Sequence, residues 1–341
     1  MPAIRPPVIS VVMPAYNAAG TLPAAVGSIC AQTWADWELI VVDDGSTDDT
    51  TEILATLART EPRLVLVRQS HRGIVSALHA GLERARGRFV ARMDADDLSH
   101  PDRLGEQVNY LDRHPEIGLV SCLVEFGGDA RASEGFARHV AWLNSVDTLD
   151  AIALNRFVES PVAHPSVMFR REFLLAHGSY CDGPFPEDYE LWLRWLERGV
   201  QFAKVSRRLL TWRDSPTRLT RSDPRYALAA LYELKAPFLA RAIKAALKER
   251  EVWVWGAGRV TRGRAQLLAK EGLAVRGFID VDPKKWGRHR DGRIVVGPEA
   301  VPDPERALIV VLVAKRGARE LIRAHLQSRR YVEGRDFWMA A

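Results

Sequence analysis

What most limits the fold of this chain is the regular alternation of short apolar runs with helix-forming stretches through its first third. Val8–Met13 is apolar and β-branched, and Asn17-Ala18-Ala19-Gly20 breaks it before a helical stretch reaching Gln32. Glu38–Val42 reads as a second strand, Thr50–Arg59 as a helix with Ser46 or Asp48 as its cap, and Leu64–Val67 as a third strand. Ile74–Ala85 is again helical, and Arg88–Met93 is a fourth strand. Strands alternating with helices predict an α/β fold, a mostly parallel sheet with helices on both faces. In such sheets ligands bind outside the carboxyl ends of the strands. The polar segments with chemistry all fall there: Pro14-Ala15-Tyr16-Asn17, Asp43-Asp44-Gly45-Ser46 and Asp94-Ala95-Asp96-Asp97.

The acid run after the fourth strand carries the sharpest signal. Three clustered carboxylates repel one another, and a hard divalent cation, Mg²⁺ or Mn²⁺, is the partner that would share its remaining positions with phosphates. By itself the run also fits a solvated turn capping a helix that starts near Pro101. Tyr16 can offer a ring face to a base or be a core tyrosine at a strand end. Asp43 and Asp44 can accept hydrogen bonds from a uridine-like base or its ribose, or simply shape the turn around Gly45.

Taken in order, these motifs resemble the nucleotide-sugar half of family 2 glycosyltransferases. The resemblance rests on Pro14–Asn17, Val41–Asp48, Gly73-Ile74, Met93–Asp97, Pro101–Leu104, His164–Arg170 and Glu187–Arg194, and spans roughly residues 8–215. It implies the GT-A fold and an inverting, metal-dependent transfer of a sugar from a nucleotide diphosphate, UDP by family habit, to a glycan, lipid-linked or protein acceptor. It implies a donor site of Pro14, Tyr16, Asn17, Asp43, Asp44, Arg72, Asp94 and Arg213. Asp96 is expected on the metal, with Asp97 a further candidate. Asp188 of the Glu187-Asp188 pair matches the family's general base, though by itself it reads as an N-terminal helix cap. His164 is expected to line the site, and Trp192 sits on the helix that follows Glu187. His71 and His79 depart from the family, which often has Asn at those positions.

The rest of the chain predicts a second unit. We expect residues 1–222 to form the GT-A domain, 223–250 a helical linker punctuated by Pro224 and Pro237, and 251–341 a small Rossmann-like domain. Val252–Gly258 reads as a strand entering a glycine turn, Ala274–Ile279 as a second strand and Ala307–Val313 as a third, with Arg316-Gly317 opening a last helix. Asp280 lies 24 residues after Gly256, where dinucleotide folds place a ribose-binding acid, but Thr261 replaces the third glycine of that fingerprint.

Composition narrows the classes. Of 48 Lys+Arg and 43 Asp+Glu, residues 251–341 hold 18 and 11, leaving 30 and 32 to residues 1–250. The basic C-terminal unit could touch an anionic membrane surface, but no interleaving of aromatic and basic residues argues for nucleic acid. Cys30, Cys122 and Cys181 are scattered and read as reduced. Residues 1–5 lack the apolar core of a signal peptide, and the longest apolar run, Ala307–Ala314, is too short to span a bilayer. A cytoplasmic enzyme, peripheral at most to the inner face of a membrane, is the expectation. An oxidoreductase or epimerase centred on Gly256–Asp280 and a non-catalytic nucleotide-sugar binder are the competing classes. The broken glycine fingerprint counts against the first, and the intact Asp94, Asp96 and Asp188 against the second.

Overall fold

The computed structural model describes residues 5–215, 218–315 and 317–341, so Arg316 lies outside the described residues. The chain divides into two compact units. The first comprises the described residues up to Ile152 with Pro161–Gly183 and Glu187–Asp223, and the second Ala153–Ser160, Pro184–Pro186 and Pro224–Ala341.

The first unit opens with the alternation read above: β1 (Ile9–Ala15), α1 (Leu22–Cys30), β2 (Trp37–Asp43), α2 (Thr50–Thr60), β3 (Leu64–Arg68), α3 (Ile74–Arg84) and β4 (Phe89–Arg92). After the acid run come β5 (Leu98–Ser99), α4 (Arg103–Arg113), β6 (Ile117–Gly127), α5 (Glu134–Ser145) and α6 (Leu149–Asn155). The unit then continues with β7 (Met168–Arg170), α7 (Glu172–His177), α8 (Glu187–Glu197), β8 (Gln201–Arg213) and α9 (Leu219–Ser222). These strands form one sheet in the order β3-β2-β1-β4-β7-β6-β8-β5. The four strands on the β3 side are parallel, β7 runs antiparallel to both its neighbours, and β5 antiparallel to β8.

Alternation along the strands divides the core in two, since successive side chains point to opposite faces. Val11, Met13, Leu39 and Val41 pack on one face with Leu22, Val26 and Ile29 of α1 and Leu104 and Val108 of α4. Val12, Ile40, Val42 and Val90 pack on the other with Val75 and Leu78 of α3 and Leu191, Trp192 and Trp195 of α8. Both faces are covered, which is why β1 and β2 read as continuous apolar runs.

At the start of α2, Asp49 holds the N-cap position without a side-chain cap bond, and the Asp48 carboxylate accepts from the Thr50 N–H at 3.0 Å and the Ala19 N–H at 3.1 Å. The Ser46 hydroxyl instead accepts from the Asn17 N–H. The acid run does not cap a helix: β5 follows it, and Asp102 holds the N-cap position of α4, also without a side-chain cap bond.

The second unit has α10 (Leu228–Leu247), β9 (Glu251–Trp255), α11 (Arg259–Lys270), β10 (Val275–Ile279), β11 (His289–Arg290), β12 (Arg293–Val296), β13 (Ala307–Val311), α12 (Ala318–Ser328) and β14 (Phe337–Met339). Its sheet order is β11-β12-β10-β9-β13-β14, parallel except for β11. Pro237 lies inside α10, which packs on α11 and carries the buried Lys235. That ammonium donates to the carbonyls of Phe157 and Val158 and so ties the short segment Ala153–Ser160 to this unit.

Candidate active site

Register puts Ala15 beside Asp43 and Val12 beside Arg92, so the segments leaving β1, β2 and β4 emerge along one edge of the sheet. On the β1 side Pro14 is still within the strand, opposite Val42. Tyr16 is no core residue: it is 45% exposed and stacked on the His71 ring, with centroids 4.0 Å apart. Asn17 takes a positive φ of 49°, and its carboxamide oxygen accepts from the Thr47 N–H at 2.8 Å, tying the β1 loop to the β2 loop.

The two acids at the end of β2 are buried and hydrogen-bonded within the protein. Asp43 accepts from the Ser46 N–H at 3.0 Å and from the Thr51 hydroxyl. Asp44 accepts from Gln69 Nε2 at 2.6 Å and from the N–H groups of Arg72 and Gly73 at 2.9 and 2.8 Å, with His71 Nδ1 2.9 Å away. Their work in this structure is to hold two loops in place, and the backbone of Arg72 takes part while its side chain is exposed. Gly45, next after Asp44, has φ +73°, and a Cβ there would lie 2.5 Å from the His71 backbone nitrogen, so only glycine fits.

The acid run leaves β4 as a compact cluster. One carboxylate oxygen each from Asp94, Asp96 and Asp97 lies within 4.8 Å of the others. Asp94 is ion-paired with Arg92, whose guanidinium is buried in the strand. Asp97 is 1% exposed; its Oδ1 accepts from the Arg213 N–H at 2.8 Å, while its Oδ2 is buried without a hydrogen-bond partner. Burial, then the charge of Asp94, pushes Asp96 up to about 6 and Asp97 well above the usual carboxylate range. An orphaned buried oxygen inside three mutually repelling carboxylates is what a hard divalent cation satisfies, so the residues fit such an ion. Below the cluster, the buried Arg103 donates to the Arg92 carbonyl at 2.5 Å and to Gln107 Oε1 at 3.2 Å, fixing the backbone that aims the acids.

The other acid pair opens α8. Glu187 is buried, and Asp188 accepts from the N–H of Tyr189 at 2.7 Å. Burial, then the charge of Glu187, pushes Asp188 up to about 7. His164 lies in a short 3₁₀ turn, its Nε2 2.7 Å from the Tyr180 hydroxyl and its Nδ1 3.8 Å from Glu187. Burial, helped by the Arg92 charge, drives the His164 pKa well below its ordinary value, so its imidazole is neutral. Trp192 is 0% exposed and meets His164 edge to face; it stands inside the core with no surface to offer a ligand.

Three site residues escaped the sequence reading. Arg92 is the buried cation whose charge reaches Asp94, Tyr180 and Glu187 together, and an arginine inside an apolar strand just before the acids was its signal. Tyr180 has no local signal, since only the tertiary fold brings it to His164. Arg218, whose charge pulls down both Asp96 and Asp97, follows the site in a segment with no periodicity.

In the second unit the glycine turn is filled by its own neighbours. A Cβ on Gly256 would lie 2.8 Å from the methyl groups of Thr261 and Val313. Asp280 accepts from the N–H groups of Ala257 and Asp282 at 2.8 and 3.0 Å and from Lys285 Nζ at 2.9 Å. The acid that would meet a ribose is thereby spent on the turn itself.

Residues 10–177 match the model of the family described as glycosyl transferase family 2. The amylovoran biosynthesis glycosyltransferase AmsE of Erwinia amylovora is 31% identical over 186 residues, 54% of this chain and 67% of that protein. The putative glycosyltransferase EpsE of Bacillus subtilis is 30% identical over 227 residues, 65% of this chain and 78% of that protein. The bifunctional glycosyltransferase pgtA of Dictyostelium discoideum is 29% identical over 240 residues, but the chain spans only 31% of its length. Among solved structures, S. aureus TarS in complex with UDP-GlcNAc superposes with a TM-score of 0.52 at 17% identity, over 77% of this chain and 71% of that one.

Proposed function

The chain belongs to glycosyl transferase family 2 and has the GT-A fold, and from that premise we propose that it moves a sugar from a nucleotide diphosphate donor, UDP-linked in the first instance, to an acceptor hydroxyl by inversion. The observation that carries this reading is the pair of unlike acid sites served by one buried arginine: a repelling triad at Asp94, Asp96 and Asp97, and a single proton acceptor at Asp188.

Asp96, with Asp94 and Asp97 beside it, would hold Mn²⁺ or Mg²⁺, which supplies Lewis-acid stabilisation of the charge on the departing diphosphate. Tyr16 offers its exposed ring to the base, and Asp43 and Asp44 keep the loops around it in register. Arg213, whose N–H fixes Asp97, would bring its guanidinium to the phosphate oxygens. As the acceptor oxygen bonds to the anomeric carbon and the carbon–phosphate oxygen bond breaks, the hydroxyl proton passes to Asp188. A carboxyl with pKa about 7 is matched to that task near neutral pH, because a large share of it is ionised before the step and the ionised form is basic enough to take the proton. The neutral His164, 2.7 Å from the Tyr180 hydroxyl and 3.8 Å from Glu187, stays uncharged beside the acid pair and does not compete for the proton. A relative named for amylovoran biosynthesis supports a glycan acceptor, and a lipid-linked or protein acceptor is the alternative.

Calorimetric titration of UDP, GDP and dTDP, with and without Mn²⁺, into the protein and Asp96→Asn tests the donor half. One nucleotide should bind tightly only with both the metal and Asp96 present. Binding indifferent to both would place the nucleotide elsewhere and overturn the reading.

A further inference from the structure

We propose that Arg218 is a second cation, beside Arg213, that receives the donor's phosphates and that Phe136, on α5, is its positioning residue. The inference rests on the nucleotide-sugar reading above and adds to it a part of the chain that reading does not use.

The Arg218 guanidinium is flanked by two aromatic rings, its carbon 4.6 Å from the ring centroid of Phe136 and 4.7 Å from that of Trp212. The rings themselves meet edge to face, with centroids 4.9 Å apart. His139, one turn along α5, stacks on Phe136 at 6.2 Å and reaches Trp212 at 5.9 Å, so the wall is three rings wide. Arg218 Nη1 donates to the Arg213 carbonyl at 3.3 Å, and the Arg213 N–H donates to Asp97 Oδ1 at 2.8 Å. The two bonds run through the backbone of a single residue and tie the guanidinium to the acid cluster.

Packing a guanidinium against aromatic faces blocks its faces and leaves its edge, where the N–H groups lie, for a planar anion. Phosphate oxygens accept from that edge in a bidentate manner. With the cluster neutralised by its own cation, the positive charge of Arg218 is left for a further anion, and the nucleotide's phosphates are the anion this site would hold. Phe136 needs no contact with the donor to matter. Without its ring Arg218 regains rotamers, and the ordering cost falls on binding.

The test is nucleotide affinity by calorimetry with Mn²⁺, comparing UDP and GDP with UMP and GMP. Phe136→Leu should weaken the preferred diphosphate about fivefold and leave the monophosphate within about twofold. Phe136→Tyr, which keeps a ring, should restore the diphosphate. Arg218→Gln should lose more, and adding Phe136→Leu to it should cost nothing further, because the ring acts only through the guanidinium. Equal losses for mono- and diphosphates, or additive losses in the double variant, would overturn the proposal. If Arg218→Gln binds diphosphates normally while Asp96→Asn does not, the clamp is wrong and the donor site stands. If the unaltered protein binds no nucleoside diphosphate, the underlying reading fails first.

Discussion

Replacing Asp188 by Asn should abolish transfer and at the same time make the protein more stable, with a pH dependence that identifies the cause. The carboxyl is pushed up to about 7 in the fold, first by burial and then by Glu187, against about 3.9 in an unfolded chain. Below about pH 4 both states hold the proton and the group costs nothing. As pH rises from about 4 to 7 the unfolded chain gives up its proton while the fold keeps it, so stability falls; above 7 both are ionised and the full penalty remains. Three units correspond to about 4 kcal/mol, and partial exposure of Asp188 brings the expected gain for Asn to roughly 2–4 kcal/mol above pH 7. A unit of this size would show that as a rise in melting temperature of several degrees. Melting curves of both proteins from pH 4 to 8, with transfer assayed alongside, give the readout. The gap should be widest above pH 7, about halved near pH 5.5, and closed at about pH 4. A gap that does not change with pH, or an Asn variant less stable throughout, would refute the electrostatic argument. Retained transfer would remove Asp188 from the reaction.

Other consequences can be checked more briefly. Tyr16→Ala removes the exposed ring and should weaken nucleotide affinity about 5- to 100-fold in calorimetry while changing the turnover number little. Asp97→Asn should raise the melting temperature without metal, because a buried carboxylate with an orphaned oxygen is gone, yet reduce the further rise that millimolar Mn²⁺ gives the unaltered protein. If the second unit meets anionic lipid through its excess of Lys and Arg, the full chain should sediment with phosphatidylserine vesicles at low salt and be released as salt rises. Co-sedimentation equal to that with neutral vesicles would dismiss the idea.

Much of the fold was legible because its cause is local. Continuous apolar runs such as Val11–Met13 and Leu39–Val42 need cover on both faces, and the helices between the strands supply it. The antiparallel β7 and the long β6 beside β8 were not legible in the same way. Their pairing joins residues far apart in sequence, Phe169 with Leu119 and Cys122 with Val205. The same division runs through the second unit, where Gly256 and Asp280 suggested a ribose site and the packing of Thr261 and Lys285 used both for the turn itself.

The sequence by itself determined which residue types stand at the carboxyl ends of β1, β2 and β4, since a strand's exit and its acids are neighbours along the chain. It therefore put Tyr16, Asp94, Asp96 and Asp97 forward together as candidates for one site. Only the tertiary structure decided what each can do. Asp43 and Asp44 read either as acceptors for a ligand or as turn formers, and the fold adds hydrogen bonds from the loops at 46–51 and 69–73 to their oxygens. Asp188 read either as a helix cap or, by resemblance, as a base, and only the fold shows the burial beside Glu187 that pushes its carboxyl up to about 7. Arg92 looked like one charge in a strand, and the fold set its field over both acid sites. The reason is that protonation and hydrogen bonding depend on which groups lie within a few ångströms, and in this protein those groups come from segments up to about a hundred residues away.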